Sequence, residues 1–393
     1  MGTNPENYFT RIAILGAGPA GLFLARLLHN AGIDCTVLEA QSEQYVRGRN
    51  RAGIFEQTSV EAILSAGVGT RLSEHGVRHQ GVSFQYNGSR KYLDIQSHNA
   101  GSTVVAYSQQ SLINDLLDHG DNDGIKVDFN AKVVFLGNLE DRPVIHFMKG
   151  DQRKVLKCEL VIGCDGYHGI SRKSIPGIAA YELEKIYPYS LLGVLMEMPP
   201  LENNIIFAHH DDGFAVQSMR GTNLTKFYLQ CPEDAQLSDW REGKIRRAIM
   251  KRMGVNYFTG TVKEVNLVPL RSFVCSKLRH GQLLIAGDAA HIVPPTGAKG
   301  MNCAIADVST MAACLIQYLE SGREEHLQEY QERALERIWK VVRFSNWMTK
   351  TLYIDPHQDH FDTQMQLATV DRILTSSAAA KDFIENFTGI PHA

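Results

Sequence analysis

A chain of 393 residues, 44% hydrophobic and 21% charged, has the make-up of an ordinary globular protein with two or three packed sub-structures. Its 40 Lys and Arg against 43 Asp and Glu leave a formal net charge of −3, so there is no basic field for a nucleic-acid partner. Seven cysteines (Cys35, Cys158, Cys164, Cys231, Cys275, Cys303, Cys314) form no CxxC pair and are odd in number; they read as small core residues in a reducing cytoplasm, with no disulfide frame and no metal site. The first eight residues are polar and lack the apolar core of a signal peptide, and no apolar run reaches membrane-spanning length. A cytoplasmic protein with no membrane partner is expected.

Taken in chain order, residues 11–15 form a short apolar strand that runs into Gly16, Gly18 and Gly21 with GxGxxG spacing. Residues 22–31 then read as a helix, and 34–39 as a second strand ending on Glu39. Gly16 permits the tight turn, Gly18 admits a pyrophosphate to the backbone, and Gly21 allows close packing of helix on strand. The helix entrance, with Ala20, offers unpaired N–H groups to phosphates, and Glu39 can bond ribose hydroxyls. An ordinary glycine turn would leave the acid at the strand end unexplained, so a dinucleotide site is expected. Arg47, Arg49 and Arg51 follow, then Ala52 and Gly53. Such a loop is usually a solvated surface, but here it comes directly after a dinucleotide acid, where phosphates need partners. A helix is expected over 56–66, with Val60, Ile63 and Leu64 on one stripe. Strands are expected in 77–107 with a turn at Asn87-Gly88, and another helix from Gln109 to about residue 117.

Residues 125–165 read as strands that close on Asp165-Gly166. From 183 to 232 the period changes to two, and Tyr187, Tyr189, Phe207, Phe214, Phe227 and Tyr228 gather there, which suggests an antiparallel sheet forming a substrate floor. A helix over 243–253 and a strand over 267–277 follow. Next come an apolar strand, Gly287-Asp288, a glycine-punctuated loop, and long helices over 298–320 and 324–348. Arg333, Arg337, Lys340 and Arg343 read as a solvated or subunit-facing stripe of the last helix. Within the sheet, Ser218 and Arg220 end an apolar run. Arginine can bind a carboxylate through two parallel N–H bonds, and Tyr228 could lie across the sheet and add a hydroxyl. Alone, Arg220 would read as a surface residue. No second complete GxGxxG follows a strand, so a nicotinamide cofactor would have no Rossmann domain of its own.

The glycine loop with Glu39, the Asp165-Gly166 strand end and the Gly287-Asp288 loop together resemble the FAD-dependent aromatic hydroxylases, the group A flavin monooxygenases, over nearly the whole chain. The resemblance implies an α/β protein. It would have a Rossmann-type FAD-binding domain (1–180), an antiparallel or mixed β-sheet substrate domain (181–280) and a flavin-contacting loop with C-terminal interface helices (281–393). It implies FAD as cofactor, NADPH or NADH and O2 as co-substrates, a small aromatic carboxylic acid as substrate, and a homodimer. Asp288 would hold the ribityl chain. Asp165, Gln109, Gly300, Met301, Asn302 and the mobile loop with Arg49, Arg51, Ala52 and Gly53 would contact the cofactor. Ser218, Arg220 and Tyr228 would bind the substrate carboxylate. The Pro295 carbonyl and Thr296 would face the para substituent and the flavin. Oxygen transfer would pass through a flavin hydroperoxide.

The chain departs from relatives that use 4-hydroxybenzoate. Where they place a tyrosine on the substrate phenol and a second one leading towards a histidine near the surface, this chain has Phe207 and Phe387, with His79 retained. A phenyl ring neither donates nor accepts a proton. The substrate is therefore either 4-hydroxybenzoate ionised through water or one that needs no ionising, such as 4-aminobenzoate. Glu43 would repel a 2′-phosphate and Arg47 would attract one, with a lean towards relaxed or NADH-preferring use. The other readings are a flavin oxidoreductase without oxygen insertion and a non-catalytic flavin-binding sensor.

Overall fold

A computed structural model describes residues 7–49, 53–98 and 103–389. The N-terminal stretch 1–6, read above as lacking a signal peptide, and Arg51 and Ala52 lie outside the described residues.

The strand Asn7–Leu15 is central to the first sheet. It pairs in parallel with Cys35–Leu38 on one side and with Gln152–Gly163 on the other. Leu283–Ile285 continues the parallel set beside Gln152–Gly163. Helices cover the sheet, so Ile12, Ile14, Leu160, Ile162, Leu284 and Ile285 are all buried, as expected of a parallel strand that reads as an unbroken apolar run. Because neighbouring strands run the same way, the segments after four of them open at one edge. That edge receives Gly16, Glu39, Asp165 and Asp288.

The second sheet has eight strands. It is not confined to 181–280. The hairpin Gly81–Tyr86 and Ser89–Asp94 joins it at one edge, closed by Asn87 (φ 49°) and Gly88 (φ 69°), the left-handed pair of a tight hairpin turn. Its parallel pairing with Ile205–Ala208 brings residues more than a hundred positions apart into register. His291–Ile292 closes the other edge, while Arg279–His280 and Leu283–Ile285 return to the first sheet. Alternation sorts the faces. Ile206, Ala208, Ala215, Phe227 and Leu229 pack under the helix Glu242–Met253, whereas Phe207, Phe214, Val216 and Tyr228 face the rest of the protein.

The C-terminal part holds the helices Lys299–Ser321 and Glu325–Leu352, then two further helices, His360–Thr375 and Ser377–Thr388. By length and composition alone Lys299–Ser321 could cross a membrane, in contrast to the expectation above, but here it is a mostly buried core helix. The solvated stripe expected on Glu325–Leu352 is corrected at Arg337, which is drawn inward to the fully buried carboxylate of Asp307 at 2.8 Å; Arg333 and Arg343 are exposed as expected, with Arg343 bonding Asn386 at 2.9 Å. Lys340 stays at the surface, paired with Glu336.

Candidate active site

The nucleotide cradle starts at Gly16, which takes φ +99°, and a Cβ there would lie 2.5 Å from the Cys164 carbonyl oxygen. A Cβ on Gly21 would lie 2.0 Å from the Gly16 carbonyl oxygen, whereas one on Gly18 would meet nothing within 4 Å. The close approaches and the open space thus follow the three roles assigned to the spacing. Gly18 caps the helix Pro19–Asn30, whose first turn, with Ala20 and Gly21, presents N–H groups that the helix itself leaves unpaired. Glu39 accepts from Ala17 N at 2.7 Å and from Gln41 N at 2.8 Å, which holds its carboxylate at the rim of the loop. Asp288 is exposed on the neighbouring segment. A cradle that is tight where glycine must pack and open above the helix entrance fits the pyrophosphate of a dinucleotide. Gly21→Ala is expected to leave a protein with less than about a tenth of the wild-type FAD content, since backbone must move to admit the methyl group; flavin absorbance after gel filtration reads this.

Asp165 is turned inward, accepting from Ser171 N at 2.9 Å and from the Ser171 hydroxyl. Burial pushes its carboxyl above the ordinary range and the Ser171 bonds pull the other way. Arg172, beside it, ties this turn to the Asp288 loop. It donates to Ala289 O at 3.0 Å, Tyr167 O at 2.8 Å and Glu182 at 2.7 Å, with its guanidinium close to the rings of both Tyr167 and Phe273. From below, Asp307 braces the same loop. It accepts from Gly287 N at 3.1 Å, His291 Nε2 at 2.6 Å and Arg337 at 2.8 Å. Burial opposes a charged imidazole at His291, but Cys303 and Asp307 outweigh it and hold the pKa well above its usual value. His291, Cys303 and Asp307 bring donor atoms within 4.8 Å of one another, the one trio among the described residues that could hold a metal ion, and Arg337 already occupies Asp307. All seven cysteines are free thiols.

The residues expected to hold the substrate lie on the inward face of the second sheet. Register sets Phe84, Phe207, Val216 and Tyr228 in one row across four strands. Ser218 and Arg220 follow Val216 on the same face. The Arg220 guanidinium donates to Gly53 O at 3.2 Å and to the Tyr228 hydroxyl at 3.4 Å, and no carboxylate among the described residues pairs with it. The buried Ser218 hydroxyl has no hydrogen-bond partner among the described residues. Lys226, Ser218's cross-strand neighbour, is also buried, 3.9 Å from Glu264. A half-buried guanidinium, an orphaned hydroxyl and a phenol on one face are the donors that could hold an anion.

His79 is not near the surface. It is fully buried, and burial together with the charge of Arg220 lowers its pKa to about 4, against the opposing pull of the Asn203 backbone. It is therefore neutral at pH 7, beside the candidate anion site. Phe207 stacks on Phe214 (6.2 Å between centroids) and meets Phe387 edge-on at 6.1 Å, in an aromatic wall that continues through Phe383.

Opposite this wall is the turn at Pro295. Pro295 is exposed and its carbonyl accepts from Ala298 N at 2.9 Å, while buried Thr296 bonds the Tyr353 hydroxyl. Asn302 holds the turn in place by donating to Ile54 O and Ala298 O and accepting from Glu56 N. Gly300 and Met301 are half-buried at the start of the same helix, and Gln109 starts its own helix with little exposure. Gly53 is confined, since a Cβ would lie 1.8 Å from Tyr107 O; Arg49 is exposed.

Two features escaped the sequence reading. Lys299 and Glu56 form a buried ion pair at 2.5 Å, with Lys299 also donating to Phe387 O at 3.0 Å. Tyr353 is wholly inside the aromatic wall. The one hint was a lysine at the entrance of an otherwise apolar helix.

Residues 9–345 match the FAD binding domain family. The chain is 36% identical over 387 residues to the p-hydroxybenzoate hydroxylase of Acinetobacter baylyi, covering 98% of this chain and 96% of that one. It is 24% identical to 3-amino-4-hydroxybenzoate 2-monooxygenase of Streptomyces cremeus, with 92% of each covered. The solved structure of p-nitrophenol 4-monooxygenase from Pseudomonas putida has the same fold, with TM-score 0.84 at 18% identity, covering 98% of this chain and all of that one. With a nucleotide cradle at the edge of a parallel sheet, an aromatic-lined candidate anion site on a second sheet, and these relatives, the chain belongs to the group A FAD-dependent aromatic hydroxylases and is an FAD-dependent aromatic monooxygenase close to p-hydroxybenzoate hydroxylase.

Proposed function

We propose that this enzyme hydroxylates a para-substituted benzoate ortho to its para group, with NADH or NADPH as reductant. The observation that carries the reading is Arg220: a half-buried guanidinium with no carboxylate partner among the described residues, set beside an unpartnered buried hydroxyl, Ser218, and the phenol of Tyr228. That set binds a carboxylate, and the phenyl-lined wall beyond it takes an aromatic ring. When bound, the flavin would supply the electrons that activate O2, one atom of which goes to the ring. The protein anchors the acid, excludes water with Phe207, Phe214 and Phe387, and positions the para group near the Pro295-Thr296 turn.

Neither Phe207 nor Phe387 can relay a proton, and His79, its pKa lowered to about 4, is only a weak base. A neutral 4-amino group activates the ring without ionisation, so 4-aminobenzoate stands beside 4-hydroxybenzoate as substrate. On the nicotinamide side, Arg47 is held by Glu43 at 2.7 Å, Asp118 at 2.7 Å and Asp121 at 3.3 Å. Three carboxylates around one arginine favour NADH over a cofactor with an extra phosphate.

Incubating the yellow protein with benzoate, 4-hydroxybenzoate and 4-aminobenzoate should reveal at least one acid that speeds NAD(P)H oxidation about tenfold or more and is recovered hydroxylated. If none does, the proposal fails. NAD(P)H oxidation without ring oxygenation would point to a plain oxidoreductase. Installing both tyrosines (Phe207→Tyr with Phe387→Tyr) is expected to raise kcat on 4-hydroxybenzoate by about a hundredfold, the low end of the gain from a positioned acid–base group, and to leave 4-aminobenzoate turnover no faster.

A further inference from the structure

One buried hydroxyl in the aromatic wall has no role in the site as described so far. Tyr353 follows the helix Glu325–Leu352 and is 1% exposed. Its ring lies 4.7 Å from Phe214, the residue stacked on Phe207, and stacks at 5.0 Å on Tyr189. Its oxygen meets the Thr296 hydroxyl at 2.9 Å. The phenol therefore joins the sheet that carries Phe207 to the turn that carries Pro295 and Thr296, the two walls nearest the para position in the reading above.

Tyr353 is held on both sides along the chain. Its N–H donates to Thr349 O at 3.0 Å, and its carbonyl accepts from Gln366 Nε2 at 2.8 Å. Both backbone groups of the next residue, Ile354, bond the Gln230 side chain, at 2.5 and 3.0 Å, and the same amide oxygen accepts from Phe214 N at 2.9 Å. The register of Tyr353 against Phe214 is thus set by hydrogen bonds as well as by apolar packing. Ring packing alone would be met by phenylalanine, and a buried hydroxyl is costly unless it is bonded.

The two hydroxyls carry two hydrogens, and the bond between them uses one. Whichever donates, the pair keeps a spare hydrogen with no acceptor among the described residues. Burial keeps the phenol protonated by pushing its pKa far up, against the opposing Thr296 bond; Tyr189, Tyr228 and Cys231 add to the rise.

We propose that Tyr353, backed by Thr296, donates a hydrogen bond to the para substituent of the bound benzoate and so replaces the hydroxyl that Phe207 lacks. This rests on the benzoate reading above and sharpens it. A phenol or phenolate oxygen is a strong acceptor, whereas the lone pair of a ring-bound amine is delocalised and accepts poorly. Tyr353 thereby selects oxygen over nitrogen at the para position and stabilises the phenolate once its proton has passed to water.

Tyr353→Phe in the FAD-loaded enzyme tests this and keeps the ring packing. Dissociation constants are measured from the change in flavin absorbance for benzoate, 4-aminobenzoate and 4-hydroxybenzoate, and the phenolate band of bound 4-hydroxybenzoate is read at one fixed pH. The substitution is expected to weaken 4-hydroxybenzoate about tenfold or more and to diminish its phenolate band, while the other two acids shift less than about twofold. Thr296→Val should move 4-hydroxybenzoate in the same direction by less. If 4-hydroxybenzoate loses no more than unsubstituted benzoate, Tyr353 is packing only and the inference is overturned. A wild-type enzyme that binds no benzoate overturns the function proposed above as well. One that binds all three, with Tyr353→Phe shifting the three dissociation constants by the same factor, overturns this inference alone.

Discussion

Arg220→Ala is expected to bind every benzoate roughly a hundredfold to a thousandfold more weakly while the protein stays yellow. The guanidinium is half-buried, has no acid partner among the described residues, and makes contacts of 3.2 and 3.4 Å to neutral oxygens only. A carboxylate brought there leaves water and must recover that loss from charge-assisted bonds. Removing one partner of such a pair costs about 3–5 kcal/mol. Ser218 and Tyr228 can still donate to the carboxylate, which limits the loss. Arg220→Lys should recover only part of it, because an ammonium cannot make two parallel bonds to one carboxylate. Titrating flavin absorbance with benzoates gives the constants, and flavin content shows whether the Gly53 contact was needed for cofactor binding. An unchanged dissociation constant for Arg220→Ala would remove the anchor from the site.

The second large effect is on stability. Lys299→Met leaves Glu56 without the ammonium 2.5 Å away, in a place where both side chains are largely buried. The expected loss is about 3 kcal/mol at pH 8. Burial already holds the Glu56 pKa above its ordinary value even though Lys299 opposes this. A carboxyl raised on folding contributes stability that is present below its unfolded pKa and is lost as pH rises through the folded one. Without Lys299 the folded value climbs further, so the deficit relative to wild type must be smaller at pH 5, where Glu56 can take up a proton, than at pH 8. Urea unfolding at the two pH values measures it. A deficit that is equal or larger at pH 5 would mean that the stranded carboxylate is not its cause.

Most of the nucleotide cradle was legible in the sequence because its rules are local. Strand, glycine spacing, helix and terminal acid lie within 33 residues, each tied to a neighbour by backbone geometry, as Gly16 with its positive φ illustrates. The shared face of Ser218, Arg220 and Tyr228 was legible for a related reason, since a strand alternates its side chains and a short hairpin sets the register. The placing of Arg337 went wrong because helical periodicity sorts polar from apolar but says nothing about an aspartate waiting on the facing helix. His79 was misplaced for a similar reason, because the three-stranded sheet that carries it is closed over by segments remote in sequence.

Local rules in the chain were thus enough for a dinucleotide loop, a sheet with an anion-binding face and the class of chemistry those parts serve. Folding alone brought Lys299 to Glu56 across 243 positions, drew the strands of 81–94 into the second sheet, and set the Tyr353 hydroxyl against Thr296. The physical reason is that a buried charge or hydroxyl depends on its partner, and in these cases the partner comes from a distant segment whose position depends on how sheets and helices pack, which no pattern of nearby residues records.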